Sequence, residues 1–193
     1  MTSTLVLASG SRYRKELMER LGLPFAVAVP GIDEAALPGE SPAMLTLRLA
    51  EAKARAVAAE HPESLIIGSD QVAECAGNAV GKPRDRAHAL ALLREMRGRT
   101  IVFHTALALL NAASDRLQAA LVDVVCTFRT LDDAAMAAYF DRDLPLDCAG
   151  AVRIETLGIA LFTRVASDDP TALIGLPLIK LTDMLRAEGV SVL

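Results

Sequence analysis

The hydrophobic and polar positions of this chain fall into short blocks whose period keeps changing, and each change marks an element. Thr4–Ala8 (TLVLA) is a brief apolar run with the length of a buried strand, and Ser9-Gly10-Ser11 turns from it into a helix from Arg12 to about Leu21. Gly22 suits the helix end and Pro24 blocks its continuation. Phe25–Val29 (FAVAV) alternates as a second strand, and Pro30–Glu40, with two Pro, two Gly and three acidic residues, is a loop. Ser41-Pro42 starts a helix, with Ser as cap and Pro in the first turn. That helix runs to about Glu60, with Leu45, Leu49, Ala52 and Ala56 on one face.

Leu65–Gly68 reads as a strand ending at Ser69-Asp70. Gln71–Cys75 and Ala79–Val80 flank Ala76-Gly77-Asn78 as a hairpin. Asp85–Arg97 is a helix with Ala89, Leu92, Leu93 and Met96 at helical spacing, stopped by Gly98. Thr100–Leu110 and Leu117–Arg129 are two long strands joined by the turn-like Asn111–Arg116, hence an antiparallel pair. Thr130–Asp141 is a capped helix with Met136, Tyr139 and Phe140 inward, and Gly158–Val165 is a further strand. Pro177–Ala187 is a last helix closed by Gly189, followed by Val190–Leu193 as an edge strand. These elements predict an α/β fold with a mixed, elongated, twisted central sheet flanked by helices.

Composition narrows the class. The 193 residues suffice for one domain with a real core, and no repeat or low-complexity tract divides them. Hydrophobic residues make up 52% and aromatic residues 4%, with no Trp, so the core rests on Leu, Val, Ile and Ala. A net charge of −4 gives no electrostatic basis for binding nucleic acid or an anionic membrane. A locally basic pocket for a small anion remains compatible with that charge. The three cysteines (Cys75, Cys126, Cys148) are odd in number and form no CxxC pair, which argues against a disulfide framework or zinc site and for a reducing compartment. The opening MTSTLVLASGS lacks the basic-then-apolar form of a signal peptide, and no apolar run reaches the roughly 18 residues of a membrane span. A cytoplasmic location is the expectation.

No phosphate-loop, dinucleotide, zinc-protease or serine-hydrolase motif occurs, and the three His are scattered. Asp70 lies where an apolar strand delivers a carboxylate to the region in which α/β proteins bind ligands, although a turn-forming Asp would look the same. LASGSRYRK joins a strand, a Gly-containing turn and a helix start, a geometry that binds anions. Ser9 and Ser11 add hydroxyls, and Arg14 and Lys15 add charge. An ordinary N-cap before a solvated basic face would also fit. Lys82, between Gly81 and Pro83, and Lys53, inside an Ala-rich helix, are each compatible with a surface role, as is Glu34 in the acidic loop.

Taken together and in order, LASGSxYRKELMERLG, Asp33-Glu34, LRLAEAKA, IIGSDQV, GKP, CAG and IGLPL resemble the Maf family of nucleoside triphosphate pyrophosphatases, from about Leu5 to Arg186. Tyr13, Gln71 and Glu155 stand where the dTTP- and UTP-hydrolysing branch carries Arg, Thr and Gln, and they match the branch acting on 7-methyl-GTP. The resemblance implies two lobes with a cleft between them and hydrolysis of a nucleoside triphosphate to the monophosphate and pyrophosphate. It casts Asp70 as proton acceptor, Ser9, Arg14, Lys15, Lys53 and Lys82 as substrate ligands, and Glu34 and Asp70 as ligands of a divalent cation, Mg²⁺ or Mn²⁺. Tyr13 would stack on a cationic methylated guanine and Glu155 would accept from its N–H groups, unless the two are a helix-surface aromatic and a loop charge. Arg12 replaces the proline usual in the first motif, giving up rigidity but adding a cation near the phosphates. A homodimer and clearance of modified nucleotides are further implications, with a dTTP/UTP pyrophosphatase or a nucleotide-binding regulator of septum formation as the alternatives.

Overall fold

The computed structural model describes residues 4–193. Seven strands form one mixed sheet: β1 (Leu5–Ala8), β2 (Phe25–Val27), β3 (Leu65–Cys75), β4 (Asn78–Val80), β5 (Thr100–Asn111), β6 (Arg116–Phe128) and β7 (Phe162–Ala166). Their spatial order is β2-β1-β3-β5-β6-β7, with β4 also on β3. β1 runs parallel to β2 and β3, and every other pairing is antiparallel. Among the described residues, five α-helices flank the sheet: α1 (Arg12–Glu19), α2 (Pro42–Ala56), α3 (Arg86–Met96), α4 (Asp133–Asp143) and α5 (Leu178–Ala187). No described helix is long and apolar enough to cross a membrane.

β3 organises the molecule. Along one side it pairs with β5 without interruption, from Leu65 opposite Asn111 to Cys75 opposite Ile101. Along the other side it changes partner: Leu65–Gly68 pair with β1, and Ala73–Cys75 pair with β4. Between them, Ser69–Val72 have a strand on one side only. The strand expected to end at Ser69-Asp70 therefore continues for several more residues, because β5 supplies a full ladder across the break. Asp70 lies in mid-strand, at a gap in the neighbouring layer.

The core divides at that gap. On the near side, one cluster packs α1 and α5 against Leu5, Leu7, Leu65, Ile67, Leu107 and Leu109. A second packs α2 against Val6, Ile66, Ala106, Ala108 and Leu110 on the opposite face. Beyond the gap, α3 and α4 close over Ala73, Cys75, Phe103, Val124, Cys126 and Phe128. Met136, Tyr139 and Phe140 are buried there, and Phe162 meets the rings of Phe103 and Phe128 edge-on. β5 and β6 are long enough to run through both lobes.

Several ends differ from the sequence expectation. Asp132, accepting from Ala135 N, caps α4, so that helix starts at Asp133 and not at Thr130. Gly158 does not start a strand. Its N–H donates to Arg153 O at 2.8 Å, and Leu157–Leu161 form a 3₁₀ turn before β7 begins at Phe162. Val190–Leu193 form no strand, but Val190 and Val192 pack against the α5-side core.

Gly68 sets the depth at which α2 rests on β3. A Cβ there would lie 2.1 Å from the backbone oxygen of Ala50 and 2.9 Å from the nitrogen of Ala54. The obstacles are backbone, so helix and strand must separate to admit a methyl. Gly68→Ala is expected to cost about 3 kcal/mol in urea unfolding; a loss under about 1 kcal/mol would show that α2 is not packed this tightly.

Candidate active site

The gap opens into a cleft of about 720 Å³. Asp70 and Gln71 are successive residues of β3 and project to opposite faces of the sheet, yet both line the cleft. The cleft thus reaches both faces where β1 and β4 leave β3 uncovered. On the Asp70 side it is bordered by α2 and the loop carrying Glu34. On the Gln71 side it is bordered by the start of α1 and the 3₁₀ turn Ala172–Ile174.

On the Asp70 face, α2 brings Lys53 inward within its last turns. The Lys53 ammonium donates to Asp70 Oδ1 at 2.6 Å and lies 2.7 Å from Glu34 Oε1. The Lys53 and Asp70 side chains are only 8% and 10% exposed, whereas Glu34 is 57% exposed. Partial burial pushes the Glu34 carboxyl upward, but the Lys53 hydrogen bond and the charges of Lys53, Lys82 and Arg14 outweigh it and hold the group below its usual range. Lys82 follows Gly81, whose carbonyl accepts from Gly150 N at 3.0 Å, and it lines the cleft from the opposite lobe.

On the other face, Ser11 caps α1 by accepting from Arg14 N. Arg14 Nε donates to Gly175 O at 2.8 Å and Nη1 to Ser9 Oγ at 3.3 Å. Burial lowers the Arg14 pKa from its usual value, against the pull of Asp70 and Glu34. No described carboxylate pairs with Arg14 or with Lys82 within 4.0 Å. A desolvated guanidinium with no carboxylate within ion-pair distance, facing a cavity, has donors suited to an anion. Gly175 O also takes Ser69 Oγ at 2.9 Å, so one carbonyl orients the strand and the arginine together. Gln71 Nε2 contacts Thr105 Oγ1, Ala172 O and Leu173 O at 2.9–3.1 Å, which leaves Oε1 as the atom free to meet a ligand.

Lys15 falls outside this group. It is exposed, pairs with Glu19 at 3.8 Å, and does not line the cleft. Successive helical residues diverge by about 100°, so turning Arg14 inward turns Lys15 away. Arg12 lines the cleft instead. Its guanidinium lies 4.6 Å from the Tyr13 ring centroid and its Nη2 donates to Tyr13 Oη at 2.6 Å. Tyr13 in turn donates to Asp147 Oδ2 at 3.1 Å. Burial pushes the Tyr13 phenol up to about 12, so it is neutral at ordinary pH.

Asp147 was not singled out in the sequence. It joins Arg153 at 2.9 Å and lies 3.8 Å from Arg12. Its only sequence signal was proximity to the CAG stretch. Glu155 also lines this end, and burial raises its carboxyl above the usual range, with Glu16 and Asp147 adding to the effect and Arg153 opposing it.

The cleft sets its charged groups into a wall that is otherwise apolar, with Leu45, Leu49, Val80 and Val152 among its lining. Ser9, Arg14, Lys53 and Lys82 meet at the gap, while Tyr13, Asp147 and Glu155 lie beyond it. For a divalent cation, the protein offers Glu34 and Asp70, both already bound to Lys53. Among the described residues, no group of three or more His, Cys, Asp or Glu could hold a metal ion. Two carboxylates fit part of a hard cation's shell, which is the arrangement suited to an ion arriving with phosphate oxygens of its own.

The model of Maf-like proteins matches residues 4–188. A 7-methyl-GTP pyrophosphatase from Ralstonia nicotianae is 55% identical over 186 residues, covering 96% of this chain and 96% of the relative. One from Thiobacillus denitrificans is 53% identical over 190 residues (98% and 94%), and one from Cupriavidus metallidurans is 54% identical over 185 (96% and 93%).

Lys53→Met leaves Asp70 buried without its counter-charge. The expected loss is about 3 kcal/mol of stability at pH 7. Urea unfolding at pH 7 measures it, and a loss under about 1 kcal/mol would contradict the pairing.

Proposed function

The chain belongs to the Maf family, and from that premise we propose that it hydrolyses 7-methyl-GTP between the α and β phosphates to 7-methyl-GMP and pyrophosphate. The observation that carries this reading is Arg14: a desolvated cation with no described carboxylate partner, sharing one cleft with Lys53, Lys82 and a buried carboxylate. A triphosphate supplies the missing anion. The nucleoside then extends toward Tyr13, Asp147 and Glu155, where two carboxylates suit a base that methylation has made cationic. The names of the similar proteins agree with that choice.

In the reaction, a water oxygen bonds to the α phosphorus as the bond from that phosphorus to the bridging oxygen breaks. Asp70 accepts the water's proton, and pyrophosphate departs. Lys53 fixes Asp70 through Oδ1, so Oδ2 is the oxygen that takes the proton. Arg14, Lys82 and Ser9 hold the phosphate oxygens, and Arg14 is itself oriented by Gly175. Lys53 neutralises charge between the carboxylates and the phosphates. A divalent cation, Mg²⁺ or Mn²⁺, held by Glu34 and Asp70 would offset the charge of the triphosphate.

Two measurements test the reading. Asp70→Asn is expected to lower kcat for pyrophosphate release about 100-fold or more while the chain stays folded; near-normal turnover would remove Asp70 from the mechanism. In a panel of 7-methyl-GTP, GTP, UTP and dTTP, the methylated substrate should have the highest kcat/KM. UTP ahead by about tenfold or more would reassign the substrate class.

A further inference from the structure

Arg12 stands where the methylated base is expected to go. Its guanidinium lies over the Tyr13 ring, 4.6 Å from the centroid, and is bonded to the phenol oxygen. It approaches Asp147 at 3.8 Å, and Asp147 is already held by Arg153 at 2.9 Å and by Tyr13 at 3.1 Å. A side chain of α1 is thereby tied to the segment that closes the far end of the cleft. One aromatic face is occupied by a cation belonging to the chain itself.

We propose that Arg12 is a specificity-determining residue that weakens the enzyme's discrimination for a cationic base over a neutral one. The inference rests on the reaction proposed above. It follows from the charges around the base end. Arg12 and Arg153 contribute two positive charges, and Asp147, Glu155 and the nearby Glu16 contribute three negative ones, so the end carries a net charge of about −1. Without Arg12 that negative charge grows, and the Tyr13 face that Arg12 covers is open. A base methylated at the 7 position is positively charged and is repelled by Arg12, while unmodified guanine is not. The unmodified ring also keeps its N7 acceptor, which an arginine can bond and which methylation removes. Both effects favour the unmodified nucleotide, so Arg12 works against the aromatic and acidic residues beside it.

Arg12 is exposed and holds no core contact, so its variants should fold. The test compares wild type, Arg12→Gln and Arg12→Lys in pyrophosphate release from 7-methyl-GTP and from GTP. It also compares calorimetric binding of 7-methyl-GMP and GMP to the same proteins. Removing the charge should raise the methylated-to-unmodified ratio by about fivefold in Arg12→Gln, whereas Arg12→Lys should stay within about twofold of wild type. A ratio that is unchanged or lower in Arg12→Gln overturns the proposal, as does an equal rise in Arg12→Lys, since that variant keeps the charge. If the wild type releases no pyrophosphate from either triphosphate, the assigned reaction fails. The binding ratio of the two monophosphates still decides the role of Arg12 in that event.

Discussion

α2 lies against β3 at a separation that only a glycine allows, and the buried ion pair between Lys53 and Asp70 depends on that contact. A methyl on Gly68 would meet the backbone of Ala50 and Ala54, one turn before and one residue after Lys53. The closeness lets a lysine with little exposed surface reach a carboxylate in the middle of a strand. Burying either charge alone would be costly; buried together, they hold each other in one geometry. Glu34 joins from the loop and fixes the ammonium between two oxygens. The small residues around this contact, Ala8, Ala50, Ala54, Ala106 and Ala108, are the packing that such a close approach requires.

The gap in the sheet makes use of that pair. Most strand residues with polar side chains on both faces would be buried or solvated, one face each. At Asp70 and Gln71 both faces open to one cavity, because β1 ends opposite Gly68 and β4, running the other way, ends opposite Ala73. One face brings Lys53 and Glu34, and the other brings Arg14 through the Gly175 carbonyl. The continuous pairing to β5 keeps the backbone rigid while its other edge is free. Asp169 stabilises the second face at a distance, accepting from Thr171 and from the first N–H groups of α5, and so holds the turn whose carbonyls meet Gln71 and Arg14.

Much of the architecture was legible in the sequence, because the long strands, the cap at Ser41 and the apolar faces of the helices are local signals. The break read at Ser69-Asp70 was not a strand end. Polar residues normally mark the end of a buried strand, but here Ser69 and Gln71 are polar because they bond the carbonyls of Gly175, Ala172 and Leu173, about a hundred residues away. Gly158 likewise answers to Arg153, a contact that periodicity does not encode. Among the cleft residues, the order of motifs pointed to Ser9, Glu34, Lys53, Asp70 and Lys82, all of which line one cavity. Lys15 was misplaced because charge near a turn says nothing about helix phase, and Asp147 was missed because a loop carboxylate carries no local signature.

The central claim is that the cations at the gap hold a triphosphate whose α–β bond is broken beside Asp70. The most direct measurement is ³¹P NMR of the products when the purified protein turns over 7-methyl-GTP with Mg²⁺. The account predicts pyrophosphate and 7-methyl-GMP in equal amounts from the first turnover. Orthophosphate with 7-methyl-GDP would place the cut at the wrong bond and contradict it.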